Sequence, residues 1–297
     1  MTTAPSDSSS RSTSTLPSQV GVLGGGRMGA GIAHAFAVNG SSVVVVDRDD
    51  PSIDGARQRV EKAVHQSVSR GLVPDAESVL ARCTFSTDVG SFAGCGLVVE
   101  AVPEDLDLKV AALRSAEQVL APGSALASNT SSLSLDTIAA QLERPSEFIG
   151  MHFFNPVPAS TLVEIVSAAT TSSELTAQAL GWVEALGKTG ISVVDSPGFA
   201  SSRLGVAIAL EAMRMVEEGV ASAQDIDLAM ELGYKHPSGP LKTTDIVGLD
   251  VRLGIAEYLE STLGPRFAPP KILRDKVARG DHGRKTGRGF YDWKDGS

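Results

Sequence analysis

QVGVLGGGRMGAGIAHAFAVNGSSVVVVD, from Gln19 to Asp47, is the stretch that decides the fold. A short apolar run ends in a cluster of glycines, continues as a helix-forming segment to Asn39-Gly40, and is followed by a second run that is apolar until Asp47. Gly24, Gly26 and Gly29 take the GxGxxG spacing, with Gly25, Arg27 and Met28 between them. The spacing alone also fits a ligand-free glycine turn. The surrounding order of strand, turn, helix, strand and terminal acid is that of a dinucleotide fingerprint. Glycines there permit a tight turn and let a pyrophosphate approach the helix N-terminus, where unpaired N–H groups and the dipole attract an anion. Asp47 is placed to accept from ribose hydroxyls and to repel a 2'-phosphate, which favours NAD over NADP; Arg48 beside it pulls the other way. A flavin would need a longer chain to wrap its ring system.

Working outward, the pattern keeps alternating. A polar amphipathic helix spans roughly 53–70, GLVVEAV and SALASN read as strands, and a helix runs between them over 106–120. EFIGMHFF and TLVEIV are strands joined by NPVPAS, ELTAQALGWVEALGK is a helix, and GISVVD is one more strand. Apolar runs of this kind suit a parallel sheet covered on both faces. After DSPGF the apolar spacing becomes helical, over about 200–218, 223–232, 241–263 and 270–279. The expected fold is therefore α/β: an N-terminal Rossmann-type NAD-binding domain over 19–197, followed by a smaller all-α C-terminal domain over 198–297. The Ser- and Thr-rich residues 1–18 are expected to be a disordered tail.

Composition narrows the function classes. A chain of 297 residues holds about two domains. The net charge of -9 argues against nucleic acid as a partner. Two cysteines, Cys83 and Cys95, make no disulfide framework and lack metal-site spacing; no metal is expected. No apolar run reaches the ~20 residues that span a bilayer, so no membrane partner is expected. The start has no apolar core of a secretory signal, and with one arginine and no amphipathic pattern it makes a poor transit peptide. A reducing, cytoplasmic setting fits all of this.

The chemistry sits in MHFFNPVPASTLVEIV, from Met151 to Val166. His152 precedes two phenylalanines and an Asn-Pro, and Glu164 stands among apolar neighbours, where an unpaired carboxylate costs several kcal/mol. Taken alone, His152 reads equally well as a hydrogen-bonded core histidine, and Glu164 as half of an ion pair with a lysine or arginine.

The blocks GVLGGGRMGAGIA, VVEAVPEDLDLK, SNTSSL, GMHFFNPVP with LVEIV, DSPGF, HPSGPLKTTDIVGLDV and KTGRGFYDW, in this order, resemble the 3-hydroxyacyl-CoA dehydrogenases, especially the short bacterial 3-hydroxybutyryl-CoA type. The resemblance runs from Gln19 to Trp293. It implies NAD as cofactor, an acyl-CoA substrate lying between the two domains, and a homodimer built through the C-terminal helices, where Leu204, Ile208 and Met215 carry an apolar surface. It implies His152 as general base, taking the proton of the 3-hydroxyl; an imidazole titrates near neutrality, which such a step needs. Glu164 would bond the other ring nitrogen, fix the tautomer and stabilise the imidazolium. The chain breaks at Asn155-Pro156 and Pro158 and returns as TLVEIV, an excursion that can set Glu164 beside His152.

Ser131 matches the family serine that bonds the reacting oxygen, with Ser132 and Ser134 competing for that role and for helix capping. Glu104, Lys109, Asn155 and Lys285 match positions that contact NAD near its nicotinamide end. Where the family commonly has an asparagine after PGF, this chain has Ser202, which either contacts substrate or caps the helix that begins there. Arg57, Arg59 and Arg70 are candidates for the CoA phosphates, with Arg70 the one carried as a substrate residue; KILRDKVARGDHGRK is a second basic segment or a solvated helix face. Two other readings stay open: a non-CoA hydroxyacid dehydrogenase and a non-catalytic NAD-binding relative. Within the family, a hydroxyadipyl-CoA substrate needs only a cation or polar group at the acyl end.

Overall fold

The structure is a computed structural model and describes residues 15–293. It divides into two compact units: the residues up to Thr130 together with Ser134–Asp195, and Ser131–Leu133 together with the chain from Ser196 onward. Of the expected tail, residues 1–14 lie outside the described residues. Leu16 packs on the core of the first unit, and the Pro17 and Ser18 carbonyls accept from Ser41 and Ser42.

In the first unit the chain runs β1 (Gln19–Leu23), α1 (Arg27–Val38), β2 (Ser42–Val46), α2 (Asp50–Ser69), α3 (Ala76–Leu80), β3 (Cys83–Ser86), β4 (Leu97–Glu100), α4 (Leu106–Val119), β5 (Ala125–Ser128), α5 (Leu135–Ala139), β6 (Phe148–Phe153), β7 (Leu162–Ser167), α6 (Ser173–Ala185) and β8 (Thr189–Val194). The strands form one sheet in the order β3-β2-β1-β4-β5-β6-β7-β8. Neighbouring strands are parallel except β6 and β7, which are antiparallel. The order reverses between β1 and β4, and ligands of such sheets bind outside the strand ends at that reversal.

Local chemistry accounts for these elements. Val43–Val46 of β2 are all buried, as a strand covered on both faces requires. Helix α1 buries an unbroken run from Gly29 to Ala37, and its small residues let it lie close to the sheet. Aspartate caps start three helices: Asp49 accepts from the Ser52 amide, Asp75 from Ser78 and Asp105 from Leu108. Val20, Val22, Ile32, Phe36, Leu97 and Ile149 sit in the core between helices and sheet.

Two elements of the first unit, one strand and one short helix, depart from the sequence reading. Residues Cys83–Ser86 form an edge strand, held to β2 by backbone pairing; Thr84, Ser86 and a half-buried pattern left it no apolar signature. Ahead of it lies the single-turn α3, also unanticipated.

The second unit is helical: α7 (Ser201–Glu217), α8 (Ala223–Leu228), α9 (Pro240–Val247), α10 (Leu249–Leu263) and α11 (Lys271–Ala278). Its core gathers Val206, Leu210, Met213, Leu241, Leu249, Leu259 and Leu273. The single helix expected over 241–263 is two, because Gly248 at φ 110°, ψ 128° breaks the path between α9 and α10. The helix expected over 223–232 ends at Leu228 and widens into a π turn over Ala229–Gly233. Two buried acids tie the unit together. Asp227 accepts from the amides of Leu241 and Lys242 at the start of α9 and from the Tyr291 hydroxyl at 2.7 Å. Asp245 accepts from the amides of Phe290 and Tyr291 and from the Trp293 indole, which fastens GRGFYDW to α9. Among the described residues no helix is long and apolar enough to cross a membrane.

Candidate active site

The glycine turn after β1 leads into the N-terminus of α1, and each glycine has its own reason. Gly24 sits at φ 97°, a left-handed region that disfavours a side chain. A Cβ on Gly29 would lie 1.8 Å from the Gly24 carbonyl oxygen, and one on Gly25 would lie 2.3 Å from the Ala56 methyl. A Cβ on Gly26, at the N-cap of α1, would meet nothing within 4 Å, so the helix end opens onto free space. That space continues into a cavity of about 810 Å³ at the ends of β1, β2 and β4, bounded by Gly24, Gly26, Met28, Asp47, Thr87 and Val102 among others. A nucleotide-sized volume, an open helix N-terminus and a carboxylate at one edge fit the adenosine half of NAD. Arg27 and Arg48 also border the cavity.

Asp47 does more than the sequence reading assigned it. Its Oδ2 accepts from the Gly25 amide at 2.7 Å and its Oδ1 from the Arg48 amide at 2.8 Å. A carboxylate has further lone pairs for ribose hydroxyls, so it can hold the turn and bind a sugar at once. Arg48 turns toward Asp49, which it meets at 3.1 Å.

At the end of β4 lies a buried polar network. Glu100 is fully buried; its Oε1 accepts from Lys109 at 2.7 Å and from the Val102 amide at 2.6 Å, and its Oε2 from the Ser128 hydroxyl at 2.6 Å. Burial raises the Glu100 carboxyl above its usual range, against the pull of Lys109 and Ser128. Lys109 also reaches Glu104 at 3.3 Å, and Glu104 accepts from the Thr130 hydroxyl at 2.6 Å. So Glu104 and Lys109 come together in one network with Glu100. Glu100, Ser128 and Thr130 were missed. The signal available was a glutamate ending an otherwise apolar strand in VVEAV.

On the antiparallel pair β6–β7, His152 stands directly opposite Glu164. Both are buried, and His152 Nδ1 meets Glu164 Oε2 at 2.7 Å. The Phe154 ring lies 4.5 Å from the imidazole, centroid to centroid. Asn129 Oδ1 accepts from the Phe153 amide at 2.8 Å, which ties the loop after β5 to the end of β6 beside His152. A buried imidazole with one nitrogen held by a carboxylate is equipped to take up a proton on the other and to be stabilised as a cation.

The remaining residues fall as follows. Asn155 is exposed in the turn after β6. Ser134, rather than Ser131, caps α5, accepting from the Thr137 amide; Ser131 groups with the helical unit. Ser202 lies in the first turn of α7, whose N-cap position is Ala200 with no side-chain cap bond, so capping does not explain it. Lys285 pairs with Asp250 at 2.6 Å within the helical unit. Arg57 stacks on Phe85, Arg59 donates to the Gly25 carbonyl at 3.3 Å, and Arg70 is exposed at the C-cap of α2. In the second basic segment, Lys271 pairs with Asp275, Arg274 with Glu257, and Arg279 with Asp281.

Comparison with known proteins matches both units of the chain. Residues 19–196 match the NAD-binding domain of 3-hydroxyacyl-CoA dehydrogenases, and residues 198–293 match their C-terminal domain. A probable 3-hydroxybutyryl-CoA dehydrogenase of Deinococcus radiodurans is 42% identical over 275 residues, covering 92% of this chain and 99% of that protein. The mitochondrial hydroxyacyl-coenzyme A dehydrogenase of Sus scrofa is 36% identical, over 94% of this chain and 92% of its own. The crystal structure of an (S)-3-hydroxybutyryl-CoA dehydrogenase from Ralstonia eutropha superposes with a TM-score of 0.90 at 39% identity, covering 94% of this chain and 99% of that one. An NAD-binding α/β domain, a helical C-terminal domain and sequence identity over nearly the whole length lead to one conclusion: the chain belongs to the 3-hydroxyacyl-CoA dehydrogenase family and is an NAD-dependent enzyme of that family.

Proposed function

We propose that this enzyme interconverts short-chain (S)-3-hydroxyacyl-CoA and 3-oxoacyl-CoA thioesters, 3-hydroxybutyryl-CoA and acetoacetyl-CoA first among them, with His152 as general base. The observation that carries the reading is the buried pair of His152 Nδ1 and Glu164 Oε2 at 2.7 Å. With Nδ1 bonded to the carboxylate, Nε2 is the nitrogen assigned to the substrate hydroxyl. In the oxidative direction the O–H proton passes to Nε2, the C3–O bond becomes a carbonyl, and C3 releases hydrogen with its electron pair. NAD, when bound, supplies the acceptor for that hydride. Glu164 is a positioning residue: it fixes the tautomer and lowers the energy of the imidazolium as it forms. Ser131 donates to the developing carbonyl oxygen, Ser202 and Arg70 contact substrate, and Glu104, Lys109, Asn155 and Lys285 serve the cofactor. The similarity to 3-hydroxybutyryl-CoA dehydrogenases supports the chain length.

The proposal includes a homodimer through the helical unit, supported by Leu204 and Ile208, apolar and 63% and 38% exposed on α7. It also includes a reducing, cytoplasmic setting, supported by two free cysteines whose thiols burial pushes up to about 11.

The test is NADH oxidation with acetoacetyl-CoA, run beside free acetoacetate, for the wild type and His152→Ala. Turnover of the thioester alone is expected. The variant should lose roughly 10²–10⁴-fold in kcat, the usual contribution of a positioned base, while still binding NADH by fluorescence titration. A kcat near that of the wild type would remove His152 from the chemistry.

A further inference from the structure

Lys188, between the end of α6 and the start of β8, is a half-buried cation bonded to two carbonyls and to no acid. Its Nζ donates to the Val157 oxygen at 2.7 Å and to the Ser160 oxygen at 2.5 Å. It makes no ion pair among the described residues, and burial holds its ammonium below the ordinary lysine value. Both carbonyls belong to the loop over 154–161 that joins β6 to β7. Pro156 and Pro158 have no N–H, so the loop is short of donors for its own oxygens. The Ala159 and Ser160 amides both turn back to the Pro156 carbonyl. The Val157 and Ser160 carbonyls are served from outside the loop, by Lys188.

The loop has one other anchor. Asn155, Pro156, Pro158 and Ala159 are exposed, whereas Val157 is buried and belongs to the core of the first unit. Val157 sits against Gly31 of α1: a Cβ on Gly31 would lie 2.9 Å from the Val157 Cβ, closer than packed carbons come. As a source of stability, an ammonium bonded only to carbonyls is poor, because it gives up hydration without gaining a counter-charge. As a pin it is effective, because one Nζ fixes two points of the same loop.

We propose that Lys188 is a positioning residue that acts through this loop: with Val157 seated on Gly31, it holds Asn155 where the nicotinamide end of the cofactor docks. This role rests on the reading of Asn155 as a cofactor contact in the proposed function. His152 is fixed independently, by the pairing of β6 with β7 and by Glu164. The adenosine half is fixed independently as well, at the ends of β1, β2 and β4. A loop released from Lys188 therefore loses the nicotinamide end and leaves the proton-transfer pair and the adenosine cavity in place.

The test uses the full chain as the wild type, Lys188→Met, Gly31→Ala, Asn155→Ala and the double variant of Asn155→Ala with Lys188→Met. Three quantities are read: kcat/KM for NADH at saturating acetoacetyl-CoA, the inhibition constant of ADP-ribose, which is the cofactor without its nicotinamide, and the melting temperature. Lys188→Met should lower kcat/KM for NADH roughly tenfold, about the effect of one hydrogen bond, and leave the ADP-ribose constant within about twofold of the wild type. Gly31→Ala displaces Val157 without touching a charge and should do the same; it carries the test if Lys188→Met does not fold. Because Lys188 acts through Asn155, adding Lys188→Met to Asn155→Ala should cost little more than Asn155→Ala alone. Lowered melting temperatures with unchanged kcat/KM, an equal weakening of NADH and ADP-ribose, or fully additive losses in the double variant each overturn the positioning role. An impaired Asn155→Ala beside a normal Lys188→Met overturns this inference alone and leaves the proposed function standing. A normal Asn155→Ala removes Asn155 from the proposed function and overturns this inference with it.

Discussion

Replacing Glu164 by glutamine removes a charge and almost no volume, so it isolates what the carboxylate contributes to the imidazole beside it. Nδ1 and Oε2 are 2.7 Å apart and both side chains are buried. With about 4 Å between the two charge centres and an effective dielectric of about 20, the attraction between imidazolium and carboxylate is roughly 4 kcal/mol. The glutamine oxygen can still accept from Nδ1–H, so part of the pairing survives. A net loss of about 3–4 kcal/mol in the step that creates the imidazolium corresponds to a fall in kcat of roughly 10²–10³. The direction of reaction sharpens the test. Reduction of the 3-oxo substrate starts from protonated His152, a form the variant no longer stabilises. Its rate should therefore fall off at lower pH than in the wild type, while the affinity for NADH stays near normal. Oxidation of 3-hydroxybutyryl-CoA with NAD reads the fall in kcat, and stopped-flow NADH oxidation with acetoacetyl-CoA across pH 5–9 reads the shift of the profile. A Glu164→Gln enzyme that keeps the wild-type profile and a kcat within threefold would refute the positioning role and leave Glu164 as a structural residue. A lowered melting temperature with unchanged kinetics would say the same.

Asp47→Ala should raise the KM for NADH and shift the NADPH-to-NADH ratio of kcat/KM upward, since the carboxylate both bonds ribose and repels the extra phosphate. It also removes the acceptor of the Gly25 and Arg48 amides, so Asp47→Asn should retain more NADH affinity than Asp47→Ala. A wild type that already prefers NADPH would sink the assignment. His34 offers a stability test. It is buried on α1, its Nε2 meets Ser67 at 2.8 Å, and its Nδ1 has no partner. Burial and the nearby Lys188 charge hold its pKa below the ordinary value. The folded chain thus refuses a proton that the unfolded chain accepts. The stability is present above the ordinary histidine pKa of about 6.5 and is lost as pH falls from there toward the depressed value. Thermal melts between pH 7.5 and 5 should show that loss, and His34→Gln should flatten it; equal slopes in the two proteins would exclude His34 as the source.

What could be read without the fold was whatever depends on neighbours in the chain. GxGxxG followed by Asp47 is a local device: strand, turn, helix and second strand are consecutive, and Gly29 is required by the Gly24 carbonyl five residues before it. The apolar runs of β1, β2, β4 and β6 announce strands covered on both faces, and the change to helical spacing after Phe199 marks the second domain. Where tertiary pairing overrides weak local signals the reading stopped. The β3 strand exists because β2 offers it an edge, and Gly248 divides α9 from α10 through a backbone conformation that apolar spacing does not encode.

The sequence by itself determined that His152 and Glu164 lie on successive strands joined by a proline-broken turn. Only the tertiary structure decided that they face each other, because a slip of one residue between β6 and β7 would send the carboxylate to the opposite face of the sheet. The same holds for Glu100, Lys109 and Ser128, which come from a strand end, a helix and another strand end. It holds again for Lys188 and the carbonyls of Val157 and Ser160, which meet where the start of β8 comes beside the loop between β6 and β7. Periodicity records which side of an element is buried. Which polar group meets which inside that buried layer depends on register and packing between segments far apart in the chain, and these are set only when the whole core closes.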